Sequence, residues 1–107
     1  MKEIKAVIGP QKLEPLREAL RAIPKFPGMT VSKAEGYAAP SPITSKASIK
    51  AELTDHVHRL RIEIIVSDDL APQVFDTLVN SVSSGSPGDS AVWMTDVERS
   101  AFVHKTV

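Results

Sequence analysis

The sequence has 107 residues, of which 42% are hydrophobic and 24% charged, values that fit one folded domain and exclude a disordered chain. Thirteen basic residues balance thirteen acidic ones, so no net field gathers nucleic acid or anionic lipid. Cysteine is absent, which excludes disulfides and thiol chemistry and fits a reducing compartment. No apolar stretch approaches the roughly 20 residues that span a bilayer. We therefore expect a soluble, cytoplasmic protein with no nucleic-acid partner and no direct membrane insertion.

The first third of the chain alternates between strand and helix patterns. Residues 2–8 alternate apolar and polar side chains, which predicts a strand. Residues 12–23 then place apolar side chains every three or four positions, which predicts a helix with Pro15 in its first turn. Pro/Gly-rich turns end that helix. Residues 29–36 are predicted to form a second strand.

The remaining chain repeats this order after a long insertion. Residues 37–55 are rich in small and polar side chains and have no convincing period, which is typical of a loop that is either functional or disordered. Residues 56–66 alternate more regularly than any other segment and predict a third strand. A second amphipathic helix follows, and a Ser/Gly/Pro run over residues 83–90 ends it. Residues 91–97 are predicted to form the fourth strand.

Two strand-helix-strand units of similar length predict an α+β, ferredoxin-like double βαβ fold. Such a fold has a four-stranded antiparallel sheet with two helices on one face. Alternation places Val7, Ile65 and Trp93 on the other face, which the helices leave uncovered. Because an exposed apolar sheet face usually meets a partner, we expect several subunits to pack these faces together.

No constellation typical of an enzyme is present. The serines lack the strand-turn-helix context of a nucleophile elbow, and no Gly-Lys-Ser/Thr P-loop occurs. Residues 83–90 lie between a helix and a strand, where backbone N–H groups can bind an anion. His56 and His58 lie on the same face of one predicted strand and could share a metal ion, with His104 as a further ligand. No acidic residue has a spacing that would place it beside them. We predict a binding protein that is not an enzyme and has no metal or catalytic cofactor.

The segments to compare with known families are Lys2-Glu-Ile-Lys-Ala-Val-Ile, Arg17-Glu-Ala-Leu, Gly28-Met-Thr-Val, Arg61-Ile-Glu-Ile-Ile-Val-Ser-Asp-Asp and Ser84-Gly-Ser-Pro-Gly-Asp. Together they resemble the P-II signal-transduction superfamily. The resemblance runs from residue 1 to about residue 99. It implies a single P-II-like domain over 1–107 that assembles as a homotrimer. It also implies a T-loop at about 37–55, a phosphate-side loop at about 83–90 and a C-terminal segment at 98–107.

The resemblance further implies that an adenine nucleotide binds between neighbouring subunits. The residues that correspond to the family's nucleotide site are Gly28, Thr30, Gly36, Tyr37, Arg59, Ile65, Gly88, Asp89 and Ser90. Further candidates for contact with a phosphate or a small anion are Lys46, Lys50, Arg99 and His104. In such proteins the T-loop docks onto a membrane transporter or an enzyme and reports metabolic state.

Departures from the family pattern bear on the ligand. Pro40, Ala91, Phe102 and His104 stand where the resemblance implies a glutamine, a lysine and two arginines. Because unpaired phosphate charges are costly to desolvate, ADP or AMP is favoured over ATP. Glu52 replaces the modifiable tyrosine, which excludes uridylylation there. Divergent relatives of this kind serve inorganic-carbon uptake and carboxysome operons, in which bicarbonate joins the nucleotide, or lie beside metal-efflux genes.

Three other functions stay open at this point. A metal-responsive protein of the same architecture would use the three histidines. A small ferredoxin-like enzyme acting on acyl phosphates would need a water-orienting amide, and Asn80, the only asparagine, lies on a predicted helix. A scaffold with no ligand is the third.

Overall fold

The computed structural model describes residues 1–37, 56–83 and 90–103. In chain order the elements are β1 (Lys2–Ile8), a 3-10 turn (Pro10–Lys12), α1 (Leu13–Arg21), β2 (Thr30–Tyr37), β3 (His56–Val66), α2 (Ala71–Val82) and β4 (Ala91–Asp96). The strands form one antiparallel sheet in the order β2-β3-β1-β4. The predicted ferredoxin-like double βαβ fold is therefore confirmed. The bounds of β1 and β3 match the prediction, and those of β2 and β4 differ from it by one residue.

One face of the sheet packs against both helices and forms the core. Every second residue of β1 and of the second half of β3 is buried there, as alternation requires. The helices contribute residues spaced by three or four positions. The buried core residues are Ile4, Ala6, Ile8, Leu16, Leu20, Ile23, Ile62, Ile64, Val66, Ala71, Val74, Leu78 and Val82.

The other face, which we call the open face, carries the alternate strand residues and is not covered by either helix. Its members on β1, β3 and β4 are Glu3, Lys5, Val7, Arg59, Arg61, Glu63, Ile65, Ala91, Trp93 and Thr95. As predicted, Val7, Ile65 and Trp93 lie on this face, and the Trp93 side chain is 40% exposed. A large aromatic side chain in that environment has apolar area left to bury.

The strands β2 and β3 extend past the end of β1. Leu60 pairs with Ile8, the last residue of β1, whereas β2 follows β3 to the pair of Tyr37 with His56. Residues 34–37 and 56–59 therefore form a two-stranded ribbon that projects from the sheet. The predicted loop begins at Tyr37, the last residue of β2, and its residues 38–55 lie outside the described part of the chain.

The N-cap residue of helix α2 is Leu70, whose own side chain cannot cap the helix. The Leu70 and Ala71 amides donate instead to the hydroxyl and carbonyl oxygens of Ser67, at 3.4 and 3.0 Å. The Asp68 carboxylate accepts a hydrogen bond from the amino group of Met1 at 2.9 Å, and this contact holds the pKa of Asp68 below its usual value. The stabilisation from this pair is therefore present near neutral pH and is lost as the pH falls through that lowered pKa.

Gly28, in the turn before β2, has the backbone dihedral φ +103°. A side chain rarely tolerates this conformation, although the space around the Gly28 Cα is open. Gly36 differs because it lies in β2, where an added Cβ would sit 3.1 Å from Arg59 Cγ. Gly28 is therefore required by the backbone conformation, whereas Gly36 leaves room for the Arg59 side chain.

Replacing Leu78 with alanine tests the core described above. The Leu78 side chain is fully buried, so Leu78→Ala should lower the free energy of unfolding by about 2–5 kcal/mol. Asn80→Ala, on the exposed side of the same helix, is the matched control and should change it by no more than about 0.5 kcal/mol. Urea unfolding followed by circular dichroism measures both. Equal losses would contradict the assignment of the buried face.

The two glycines provide a second paired test. Gly28→Ala forces a side chain into a positive-φ conformation and should cost about 1–3 kcal/mol of unfolding free energy. Gly36→Ala should cost less than about 1 kcal/mol, because the crowded neighbour is a flexible arginine side chain that can move. Urea unfolding of both variants is the measurement. If Gly36→Ala proved the more destabilising variant, the backbone argument would be wrong.

Candidate functional site

Three of the predicted site residues line one groove at the edge of the open face. Gly28, Thr30 and Ile65 are brought together there, with Glu3, Glu63 and Phe102 among the other lining residues. The register explains the proximity, because Thr30 pairs with Glu63 and Ile65 pairs with Glu3. The volume of this groove, which we call the Thr30 groove, is about 470 Å³. Ligand pockets typically measure about 300–1,000 Å³.

A smaller groove of about 320 Å³ adjoins the first and shares Pro27, Ile65 and Phe102 with it. We call it the Leu70 groove, since Leu70 lines it and does not line the Thr30 groove. Both grooves depend on the segment after β4, which returns toward β3 and brings Phe102 beside Ile65 and Pro27. The N–H of Val97 donates to the Met1 carbonyl at 3.1 Å and holds the start of that segment against β1.

The Thr30 groove carries more negative than positive charge. Two carboxylates, those of Glu3 and Glu63, line it. Lys5 lies across the strand pair from Glu63, and its ammonium group is 3.7 Å from the Glu3 carboxylate. One cation therefore faces two anions at this end of the open face. Such a groove favours groups that donate hydrogen bonds and disfavours phosphate.

The opposite end of the sheet is basic. Arg59 and Arg61 alternate on the open face of β3, and their partners on β2, Ala34 and Ser32, carry no charge. Lys33, Ala34, His58 and Arg59 line a groove of about 370 Å³, which we call the Arg59 groove. An anion is therefore favoured at this end of the sheet.

Gly36 and Tyr37, also predicted site residues, lie on the ribbon near Arg59. The Arg59 side chain passes close to the Gly36 backbone, where the missing Cβ leaves space, and Arg59 Nη1 donates to the His58 carbonyl at 3.1 Å. The Tyr37 side chain is 72% exposed at the end of β2. Gly36 and Arg59 are thus brought together, whereas the structure does not bring either of them to the Thr30 groove.

Ser90 immediately precedes β4, at the same end of β1 as Arg59. Its hydroxyl oxygen is buried and has no hydrogen-bond partner within the described part of the molecule. A buried hydroxyl without a partner is uncommon, so a ligand oxygen or N–H at this position would satisfy it. Among the other candidates, Arg99 is exposed in the segment after β4. Gly88, Asp89, Lys46, Lys50 and His104 lie outside the described residues.

The distance along β3 separates the two groups of site residues. Ile65 and Arg59 are six positions apart on one strand, which corresponds to about 20 Å at about 3.3 Å per residue. An adenosine mono- or diphosphate is shorter than this span. The two groups therefore lie at opposite ends of the sheet in one copy of the chain.

Glu3, Glu63 and Phe102 line the Thr30 groove, and sequence reasoning did not assign them to the site. Glu63 alternates with Ile65, so its face could have been read from the pattern. Glu3 is placed beside Ile65 by the pairing of β1 with β3, which residue spacing alone does not show. Phe102 differs from the family pattern, and the sequence gives no other sign of a role for it.

The described residues also bear on metal binding and on membrane crossing. In residues 1–37, 56–83 and 90–103, no group of three His, Asp or Glu side chains is placed to hold a metal ion. His58 lies on the ribbon, whereas the side chain of His56 and all of His104 lie outside that part of the chain. Neither described helix is long and apolar enough to cross a membrane.

Comparison with known proteins gives a consistent family. The model of the P-II family, described as nitrogen regulatory protein P-II, matches residues 1–106. Nitrogen regulatory protein P-II of Klebsiella oxytoca is 33% identical over 99 residues, which cover 92% of this chain and 88% of the relative. P-II 1 of Escherichia coli K12 gives the same identity and coverage, and P-II of Pasteurella multocida is 30% identical over the same shares. The chain therefore belongs to the P-II family of regulatory signal proteins.

Proposed function

We propose that this chain is a regulatory protein, not an enzyme, and that it binds an adenine nucleotide between neighbouring subunits of a homotrimer. The observation that carries the proposal is the separation of the predicted site residues. Those in the Thr30 groove and those near Arg59 lie at opposite ends of one sheet, about 20 Å apart by strand rise. We infer that a nucleotide takes one group from each of two neighbouring copies, because this would bring together residues that lie far apart in one copy.

A ring of identical subunits supplies such a site at every interface. In a head-to-tail ring, one surface of each copy meets a different surface of the next, and the ring closes without leaving a free end. The open face gives the copies a reason to associate, because Val7, Ile65 and Trp93 lie on it outside the helix-packed core. Burial of this apolar area would stabilise the trimer that the P-II family implies.

The acidic Thr30 groove and the basic end of the sheet then determine which end of the nucleotide lies where. The base belongs in the Thr30 groove, where Glu3 and Glu63 can accept hydrogen bonds from its amino group. The phosphates belong with Arg59 of the neighbouring copy and with the buried Ser90 hydroxyl, which has no partner in the described structure. The predicted phosphate-side residues Gly88 and Asp89 precede Ser90 in the chain.

The ligand that fits best carries fewer phosphates than ATP. Ala91 and Phe102 replace the lysine and an arginine that would neutralise a triphosphate, and each phosphate oxygen left without a cation costs desolvation energy. ADP and AMP are therefore favoured. A small anion such as bicarbonate is proposed as a second ligand, held by Arg59 together with Lys46 and Lys50.

The predicted T-loop at residues 37–55 is the proposed output of the protein. It begins at the projecting ribbon, next to Arg59 and Gly36, so a bound phosphate or anion acts on the base of the loop. We propose that the ligand selects the loop conformation that docks onto a membrane transporter or an enzyme. We propose a role in inorganic-carbon uptake by analogy with the divergent P-II-like proteins that serve it.

Binding of small molecules to the purified protein is the first test. Isothermal calorimetry with AMP, ADP and ATP should give ADP or AMP an affinity at least equal to that of ATP. A nucleotide at about 100 times its Kd should add about 2.7 kcal/mol to the unfolding free energy and raise the Tm. Bicarbonate should strengthen nucleotide binding, and the nucleotide should strengthen bicarbonate binding by the same factor. No heat and no change in Tm with any nucleotide at millimolar concentration would overturn the proposal.

Mixed trimers test whether the site lies between subunits. One variant carries Thr30→Ala with Ile65→Ala, and the other carries Arg59→Ala. Each alone should bind ADP about tenfold more weakly. When the two variants are unfolded and refolded together, some interfaces join an intact Thr30 groove to an intact Arg59, so tight ADP binding should return there. Mixing the two variants after each has folded should not restore tight binding. Light scattering should give three times the chain mass of 11.6 kDa. No recovery after mixing would place the site within one chain.

A further inference from the structure

Phe102 is placed to contact a ligand in the Thr30 groove, and neither the family match nor the motifs assign it a role. It lines that groove with Gly28, Thr30 and Ile65. It lines the Leu70 groove as well. An aromatic side chain therefore stands where the two grooves meet.

The groove remains open beside Phe102. Its volume is about 470 Å³ with the Phe102 side chain in place, and that side chain is 48% exposed. A planar ring can therefore enter the groove without first displacing Phe102. If the phenyl ring blocked the groove instead, little free volume would remain next to Ile65.

The surroundings of Phe102 also suit a flat, partly polar ring. Pro27 and Ile65 supply apolar surface beside it, and Glu3 and Glu63 supply hydrogen-bond acceptors at the rim. A purine base has two faces that can stack and an exocyclic amino group that donates hydrogen bonds. Aromatic side chains are common platforms for stacked bases because every base has a π-face.

We propose that Phe102 is a binding residue on which the base of the nucleotide stacks, so that affinity depends on the base more than on the phosphates. This rests on the proposed function, since it names a contact within the same site. An arginine at this position would contribute through phosphate charge. A phenylalanine contributes through the base, whatever the number of phosphates.

Adenosine, AMP and ADP differ only in the number of phosphates, so a comparison of their affinities distinguishes stacking from a charge effect. Phe102→Ala should weaken the binding of adenosine, AMP and ADP by similar factors, each of roughly tenfold, the order expected when an aromatic platform is truncated. Phe102→Trp should restore most of the affinity, because the indole ring offers a larger face. Val103→Ala, at the neighbouring residue whose side chain is 95% exposed, is the control and should leave all three affinities unchanged.

Calorimetry on the full-length protein and these three variants is the experiment, with circular dichroism to verify that each one folds. If the wild type binds nucleotide and Phe102→Ala binds it equally well or more tightly, the stacking proposal is wrong and the proposed function stands. A loss confined to ADP would also overturn stacking, because adenosine has no phosphate. If neither protein binds any nucleotide or nucleoside, both proposals fail.

Discussion

The pairing of β1 with β3 in the middle of the sheet is the constraint on which the other features of the fold depend. Its register places Ile4 opposite Ile64 and Ala6 opposite Ile62, so one face of both central strands is apolar and buries against the helices. A slip of one residue would move these side chains to the other face. The same register sets Glu3 beside Ile65 and Lys5 beside Glu63. The core and the candidate site therefore lie on opposite faces of the same pair of strands.

The open face has a charge gradient along the strands. Glu3 and Glu63 lie toward one end, and Arg59 and Arg61 lie toward the other. In the head-to-tail ring proposed above, the acidic end of one copy's open face would lie against the basic end of the next copy's open face. The gradient would then guide assembly and also orient an asymmetric ligand that has a neutral base and a charged tail. A single arrangement of charges would serve both purposes.

The fold could be predicted from the sequence because its signals are periodic and local. The alternation in residues 56–66 gives β3 with correct bounds, and the change from alternation to a helical period separates β1 from α1. The start of α2 was harder to predict. Asp68 and Asp69 are good capping residue types, but the described structure uses Ser67 atoms there and directs Asp68 to the Met1 amino group. Capping depends on a turn geometry that residue type alone does not specify.

The candidate site was predictable only in part, for a related reason. Gly28, Thr30 and Ile65 could be carried over from a family pattern, and the structure brings them to one groove. The family pattern aligns Phe102 with an arginine and so gives no role for a phenyl ring, and the segment after β4 has no repeating pattern that would place it. Its position depends on where the chain returns after Val97, and that path follows from tertiary contacts.

The ribbon formed by residues 34–37 and 56–59 has a consequence for how such a protein can diverge. It pairs two strands beyond the last residue of β1, and the described side chains of Glu35, Tyr37 and His58 lie outside the buried core. Substitutions at such exposed positions leave the buried core unchanged. New recognition chemistry can therefore be acquired on the ribbon while the sheet and helices keep the same architecture.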